Sequence, residues 1–163
     1  MSTLMVCTAN VCRSPAAEIL WRAETIRRGV IAPVSSAGVQ AMPGSPMHDW
    51  FIDRVSAESL DGEAHRSRRL TRAMALKHEL ILVMERRHQR YLLDLAPELA
   101  GRVHLLGRWT VGEIADPIDR AAAVFEHAYA ELNAAVTTWL DRLCRQPGDT
   151  LRSAVPPHLV PAR

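Results

Sequence analysis

The run Cys7-Thr-Ala-Asn-Val-Cys-Arg13-Ser14, followed by Pro15, groups a nucleophile, a fixed cation and a hydroxyl within nine residues. A cysteine acts as a nucleophile in its thiolate form, which positive charge and aligned amide dipoles favour. Arg13 can offer a planar fork of donors to two oxygens of a phosphate-like group. Ser14 can donate to the sulfur and make it a better leaving group. Asn10 is a residue type that tolerates left-handed backbone, as a tight loop requires. Cys, five residues, then Arg-Ser-Pro is therefore read as a phosphate-handling loop rather than as an isolated buried thiol beside a surface arginine.

Such a loop works only between a strand and a helix. Thr3–Cys7 is a short apolar run suited to a buried strand. Pro15 suits the first turn of a helix, where its missing N–H costs nothing. Ala16, Ile19, Leu20, Ala23 and Ile26 follow at helical spacing, and Gly29 is a stop. A helix N-terminus directly after a strand presents backbone N–H groups to an anion, with the helix dipole behind them.

Further strands are expected at 34–37, 80–84 and 103–106, with helices over about 47–59, 86–95 and 119–145. Residues 41–46 and 107–117 read as loops from their Pro and Gly content. Alternating strands and helices predict an α/β fold, a parallel sheet covered on both faces. Ligands bind such sheets beyond the carboxyl ends of the strands, where strand order reverses. Segment 147–163 holds four of the ten prolines and reads as an irregular tail, leaving 1–146 as the single domain.

Composition narrows the classes. At about 150 residues per domain, 163 residues make one domain. A net charge of +2 argues against a dedicated nucleic-acid binder. Three cysteines are too few for a secreted disulfide scaffold, so a cytoplasmic, reduced setting is expected. No run reaches the roughly 18 apolar residues of a membrane span, and no signal-peptide core precedes Arg13. The basic run 65–72 lacks interleaved aromatics and reads as structural or site-facing. The seven histidines show no metal spacing. His48 reads as a helix cap, and His78, His88, His104, His127 and His158 read as surface residues. Trp21, Trp109 and Trp139 read as core.

The loop resembles that of the low-molecular-weight protein tyrosine phosphatases, with Cys7, Asn10, Arg13, Ser14 and Pro15 at matching places. The likeness continues through Ser36-Ala37-Gly38, the run from His65 to Thr71, Leu80–Met84 with Arg86-Arg87-His88, Leu92–Trp109 and Asp116-Pro117. It implies a three-layer αβα, phosphatase I-like and Rossmann-like fold with a four-stranded parallel sheet in the order 2-1-3-4. It implies hydrolysis of phosphotyrosine on proteins, through a phosphocysteine on Cys7. Thr8 to Ser14 would form the phosphate-binding loop, and Arg13 would hold the phosphoryl oxygens. Asp116 would protonate the leaving phenolate and then activate water. Asn10, Ser14, Ser36 and His65 would brace the loop. Cys12 would be either a small residue packed against the loop or a reversible disulfide partner that shields Cys7 from overoxidation. No metal or cofactor is implied, because Arg13 and backbone amides meet the charge. The partners implied are tyrosine-phosphorylated proteins and a cognate tyrosine kinase, with no nucleic acid or membrane, for a monomeric enzyme.

Three departures from the family pattern bear on this. Ala9 stands where glycine is usual, so its φ should be negative or slightly strained. Ile118 and Asp119, not aromatics, follow Asp116-Pro117. Met42, with Trp50 as a second candidate, would replace the usual aromatic substrate wall, and Asp119 would disfavour acidic flanks. Arginine phosphatases of the same fold carry Thr at the place of Val11; a branched apolar residue there suits a phenol. Arsenate reductases of the fold carry extra cysteines near the third strand, and Cys144 is not there. A non-turnover phosphate-binding module or phosphocarrier would need neither Ser14 nor Asp116.

Overall fold

The computed structural model describes residues 1–144. The tail at 147–163 and His158 lie outside the described residues. Four strands, β1 (Thr3–Cys7), β2 (Val34–Gly38), β3 (Leu80–Val83) and β4 (Val103–Leu105), pair in parallel in the order β2-β1-β3-β4. The expected sheet order is thus observed. Chain direction across the sheet reverses at β1, which lies between β2 and β3. The crevice beyond the carboxyl end of β1 is therefore the switch point.

Every residue of β1 and β3 is buried, as expected for parallel strands covered on both faces. Met5, Cys7 and Leu82 face one layer of core with Trp21, Phe51, Tyr129 and Leu140. Leu4, Val6, Ile81 and Val83 face the other with Leu92, Leu99 and Ala75. The first layer is built by α1 (Arg13–Arg28), α2 (Asp49–Ser56) and α5 (Ala122–Cys144). The second is built by α3 (Arg72–Leu76), α4 (Arg86–Leu95) and a 3₁₀ turn at Pro97–Leu99. Among the described residues, no helix is long and apolar enough to cross a membrane.

Helix boundaries follow local chemistry. Gly29 ends α1 at φ 64°, a left-handed cap. α2 is shorter than expected, because the His48 ring accepts from Trp50 N–H at 3.2 Å and fixes the start at Asp49. α5 starts at Ala122 rather than at Asp119, since Asp119 turns through φ 59°. α3 was not expected at all; five residues are too short for periodicity, and only its Thr71 cap marks it. Trp21 and Trp139 are core, but Trp109 is not. It is 37% exposed, lying 4.3 Å from the Trp139 ring with the Arg142 guanidinium 4.3 Å from its own. It sits in the 107–117 loop, where no layer covers it.

Candidate functional site

The strand end fixes Cys7 and the loop that leaves it. Residues 8–12 wrap over Cys7 before α1 begins. The carbonyls of Thr8 and Val11 accept from the N–H groups of Gln40 (2.9 Å) and His48 (2.8 Å). The Asn10 carbonyl lies 2.7 Å from His65 Nε2. These anchors turn the loop carbonyls outward. Asn10 N–H points at Cys7 Sγ, 3.3 Å away. The N-terminus of α1 has no side-chain cap and no acidic residue in its first turn, which leaves it open to an anion.

Asn10 takes the left-handed conformation expected of it, at φ 57°, while Ala9 is not among the positive-φ residues. Glycine is required elsewhere, at position 38. A Cβ there would lie 2.5 Å from the Thr8 carbonyl oxygen and 2.8 Å from Asn10 N. The end of β2 and the loop therefore run in direct backbone contact.

A directed chain of hydrogen bonds ends on the sulfur. Arg68 N–H donates to Asn10 Oδ1 at 2.8 Å, which fixes the amide so that Nδ2 is the donor. Nδ2 donates to both Ser36 Oγ and Ser14 Oγ, each at 2.9 Å. Ser36 passes its proton side to Glu18 Oε2 at 2.6 Å. Ser14 Oγ, already an acceptor, lies 2.9 Å from Cys7 Sγ, with the Ala37 carbonyl at 3.4 Å as its longer alternative. Its hydroxyl proton is thus available to the sulfur. Asn10, Ser14, Ser36 and His65 all sit where a brace for the loop would sit.

Arg13 is only 1% exposed. Its NH1 donates to Glu85 Oε1 at 2.6 Å and to the Ile114 carbonyl at 2.8 Å, and its NH2 is paired with Asp116 Oδ2. Its Nε is buried without a partner. A buried unpaired donor is costly, and an oxygen of a phosphate-like group would satisfy it. Burial alone would raise the Glu85 carboxyl, but hydrogen bonds from Arg87 and Arg13 hold it down at about 2. Burial, with the Cys7 and Asp116 charges adding, pushes the Cys12 thiol up to about 12. Cys12 is a free, buried thiol, as is Cys7.

Cys7, Ala9, Val11, Cys12, Arg13, Asp116 and Ile118 enclose a hollow of only about 10 Å³. It is small because Asp116 reaches across it to Arg13. Ile118 lines it; Met42 and Trp50 do not. Met42 is exposed, its carbonyl bound by the Ser45 and Ser67 hydroxyls. Trp50 packs against Phe51 and Phe125.

His88 is a correction. It is 1% exposed, not a surface residue, and its Nε2 lies 2.9 Å from Thr8 Oγ1. The first turn of α4 carries it under the loop. His78 and His104 are half-buried. Sequence reasoning also missed Glu18, Arg68, Glu85 and Arg87. Glu18 follows Ser14 by one helical turn. Glu85 and Arg87 follow β3, whose carboxyl end adjoins that of β1. That adjacency was the available signal.

Residues 2–148 match the family model for low molecular weight phosphotyrosine protein phosphatases. The chain is 38% identical to the low molecular weight protein-tyrosine-phosphatase Etp of Escherichia coli K12, over 88% of this chain and 95% of Etp. It is similar to Vibrio vulnificus Wzb in complex with benzylphosphonate, with a TM-score of 0.79 and 34% identity, covering 87% of this chain and 98% of Wzb. It is also similar to the YwlE arginine phosphatase of Geobacillus stearothermophilus, with a TM-score of 0.82 and 26% identity, covering 94% and 99%.

Proposed function

Since the chain belongs to the low molecular weight protein-tyrosine-phosphatase family, we propose that it hydrolyses phosphotyrosine on proteins through a phosphocysteine at Cys7. The observation that carries this reading is Arg13. It is buried beside Cys7 with Asp116 on its NH2 and an unpartnered Nε, a grip waiting for a phosphoryl group.

The dianion displaces Asp116 from Arg13 and seats its oxygens on that guanidinium and the loop amides. Cys7 Sγ attacks phosphorus and the phosphorus–oxygen bond to the phenol breaks. Asp116, which takes up a proton from solvent on leaving Arg13, gives it to the leaving phenolate. It then takes a proton from water, whose oxygen attacks phosphorus. The sulfur leaves as thiolate, stabilised by the Ser14 hydroxyl. Arg13 and the loop amides hold the equatorial oxygens throughout, so charge on the transition state meets donors already in place.

Val11 and Ile118 line the hollow. Their apolar branches support a phenyl ring more than a guanidinium, which favours phosphotyrosine over phosphoarginine. Asp116 across the hollow supports turnover over storage of phosphocysteine. The substrates are tyrosine-phosphorylated proteins in a reducing, cytoplasmic setting, with a tyrosine kinase as the opposing activity.

The test is phosphate release from p-nitrophenyl phosphate and from phosphotyrosyl and phosphoarginyl peptides. Turnover should be lost in Cys7→Ser, with phosphotyrosine preferred by the native enzyme. Preference for phosphoarginine, or activity surviving in Cys7→Ser, would overturn the reading.

A further inference from the structure

Behind the loop, α1 and the segment 61–68 enclose a second cleft of about 340 Å³, sharing no lining residue with the hollow over Cys7. Glu18, Arg22, Asp61, His65, Arg66 and Arg68 supply its charged and titratable groups. Of its two carboxylates only Glu18 is ion-paired among the described residues, while Asp61 is held by backbone N–H groups alone. Glu18 accepts from Arg22 and from Ser36, both at 2.6 Å. Asp61 Oδ1 accepts from the N–H groups of Glu63 (2.9 Å) and Ala64 (3.4 Å).

Two of its cations meet backbone carbonyls. Arg66 donates to the carbonyls of Glu63 (2.7 Å) and His65 (2.6 Å), and Arg68 to the carbonyl of Ser36 (2.8 Å). Among the described residues, neither guanidinium is ion-paired. A carbonyl offsets a full positive charge far less than a carboxylate does. The cleft therefore carries two unneutralised arginines against one unneutralised carboxylate, Asp61, and is net positive.

It is also wired to the loop. A carbonyl can only accept, so His65 Nε2 carries the proton it shares with Asn10, 2.7 Å away. Nδ1 is then the atom that titrates. Asn10 in turn holds the left-handed turn of the loop and the donor to Ser14.

We propose that this cleft is a second anion site, which takes a small molecule bearing a phosphate or carboxylate group between Arg66 and Arg68 and is sensed by the phosphate loop through His65. Burial holds the His65 ring below its ordinary value; the hydrogen bond to the Asn10 carbonyl and the Glu18 charge oppose this, and the Arg68 and Arg66 charges add to it. An anion in the cleft opposes those two charges and favours the imidazolium. The hydrogen bond to the Asn10 carbonyl then becomes charge-assisted and stronger. The site thereby tightens the turn that presents Asn10 to Ser14.

The experiment uses the full chain with the catalytic loop filled by orthovanadate, a phosphate mimic, so that an added anion must bind elsewhere. Pyrophosphate, and separately citrate, are titrated to millimolar concentration while the His65 ring protons are followed by NMR across pH. The expected result is a saturable rise in the His65 titration midpoint that is lost in Arg66→Gln. That variant should keep native p-nitrophenyl phosphate turnover, which also shows that it folds. Response to one probe and not the other identifies phosphate or carboxylate as the group bound. No saturable shift with either probe, or a shift unchanged in Arg66→Gln, would overturn the proposal.

Discussion

Replacing Ser14 by Ala removes the hydroxyl that lies 2.9 Å from Cys7 Sγ. The sulfur keeps the Asn10 N–H at 3.3 Å. A hydrogen bond to a charged group contributes about 1.5–3 kcal/mol. At about 1.4 kcal/mol per tenfold, that is roughly 10- to 150-fold in rate. The two chemical steps should not share it equally. Charge leaves the sulfur when the phosphocysteine forms and returns to it when water cleaves the intermediate. The second step therefore loses the stabilisation at the moment it needs it. The variant should form phosphocysteine readily and hydrolyse it slowly. In a stopped-flow experiment with p-nitrophenyl phosphate, a burst of phenolate equal to the enzyme concentration should precede a steady state slowed about 10- to 150-fold. Ser36→Ala, which removes the other acceptor of Asn10 but does not touch the sulfur, should show a smaller burst. Native turnover in Ser14→Ala, or slowing with no burst, would refute the assignment of Ser14 to thiolate expulsion.

Asp116→Asn should lower kcat/KM, which reports the phenol-releasing step, by about 100- to 10,000-fold on phosphotyrosyl peptides and by less on p-nitrophenyl phosphate, whose leaving group needs little protonation; equal losses in kcat/KM on both would remove Asp116 as the acid. Val11→Thr should gain phosphoarginine activity and lose aryl phosphatase activity, measured as kcat/KM on matched peptides, and an unchanged ratio would show that this position does not select the substrate. Burial, and then the Arg13 charge, hold His88 at about 4 against an ordinary 6.5. The unfolded chain therefore binds this proton first as pH falls, and stability is lost between 6.5 and 4 at up to about 1.4 kcal/mol per pH unit. Thermal melts of His88→Gln should lose less between neutral pH and about pH 5 than those of the native chain; identical losses would assign the acid sensitivity to other groups.

What the sequence made legible was local. Cys7, Asn10, Arg13 and Ser14 lie in one run, and a strand and a helix frame it, so their joint chemistry could be read without a fold. The order β2-β1-β3-β4 came only with the family resemblance. Ser36, His65 and Asp116 likewise needed that resemblance, because nothing in their own neighbourhoods points to Cys7. Glu85, His88 and Glu18 stayed hidden for a different reason. Each is a common charged or titratable residue, Glu18 on α1, His88 on α4 and Glu85 just before α4, and only the tertiary packing around the loop gives it a role. His88 was misread for this cause. Met42 and Trp50 show the converse: plausible apolar residues that the observed packing keeps away from the hollow.

The pairing of Arg13 with Glu85 and Asp116 bears on how a substrate arrives. Arg87 joins the group through two hydrogen bonds to Glu85, so two guanidiniums face two carboxylates. The field of such a cluster cancels within a few ångströms and projects little into solvent. A phosphoprotein is then not drawn to the site from a distance, as it would be toward an open basic funnel. On the proposed mechanism, recognition begins on contact, when phosphate exchanges places with the Asp116 carboxylate on Arg13. The rate of productive encounter should accordingly depend only weakly on ionic strength, and a steep fall of kcat/KM with added salt would show that the wider surface, not this cluster, does the steering.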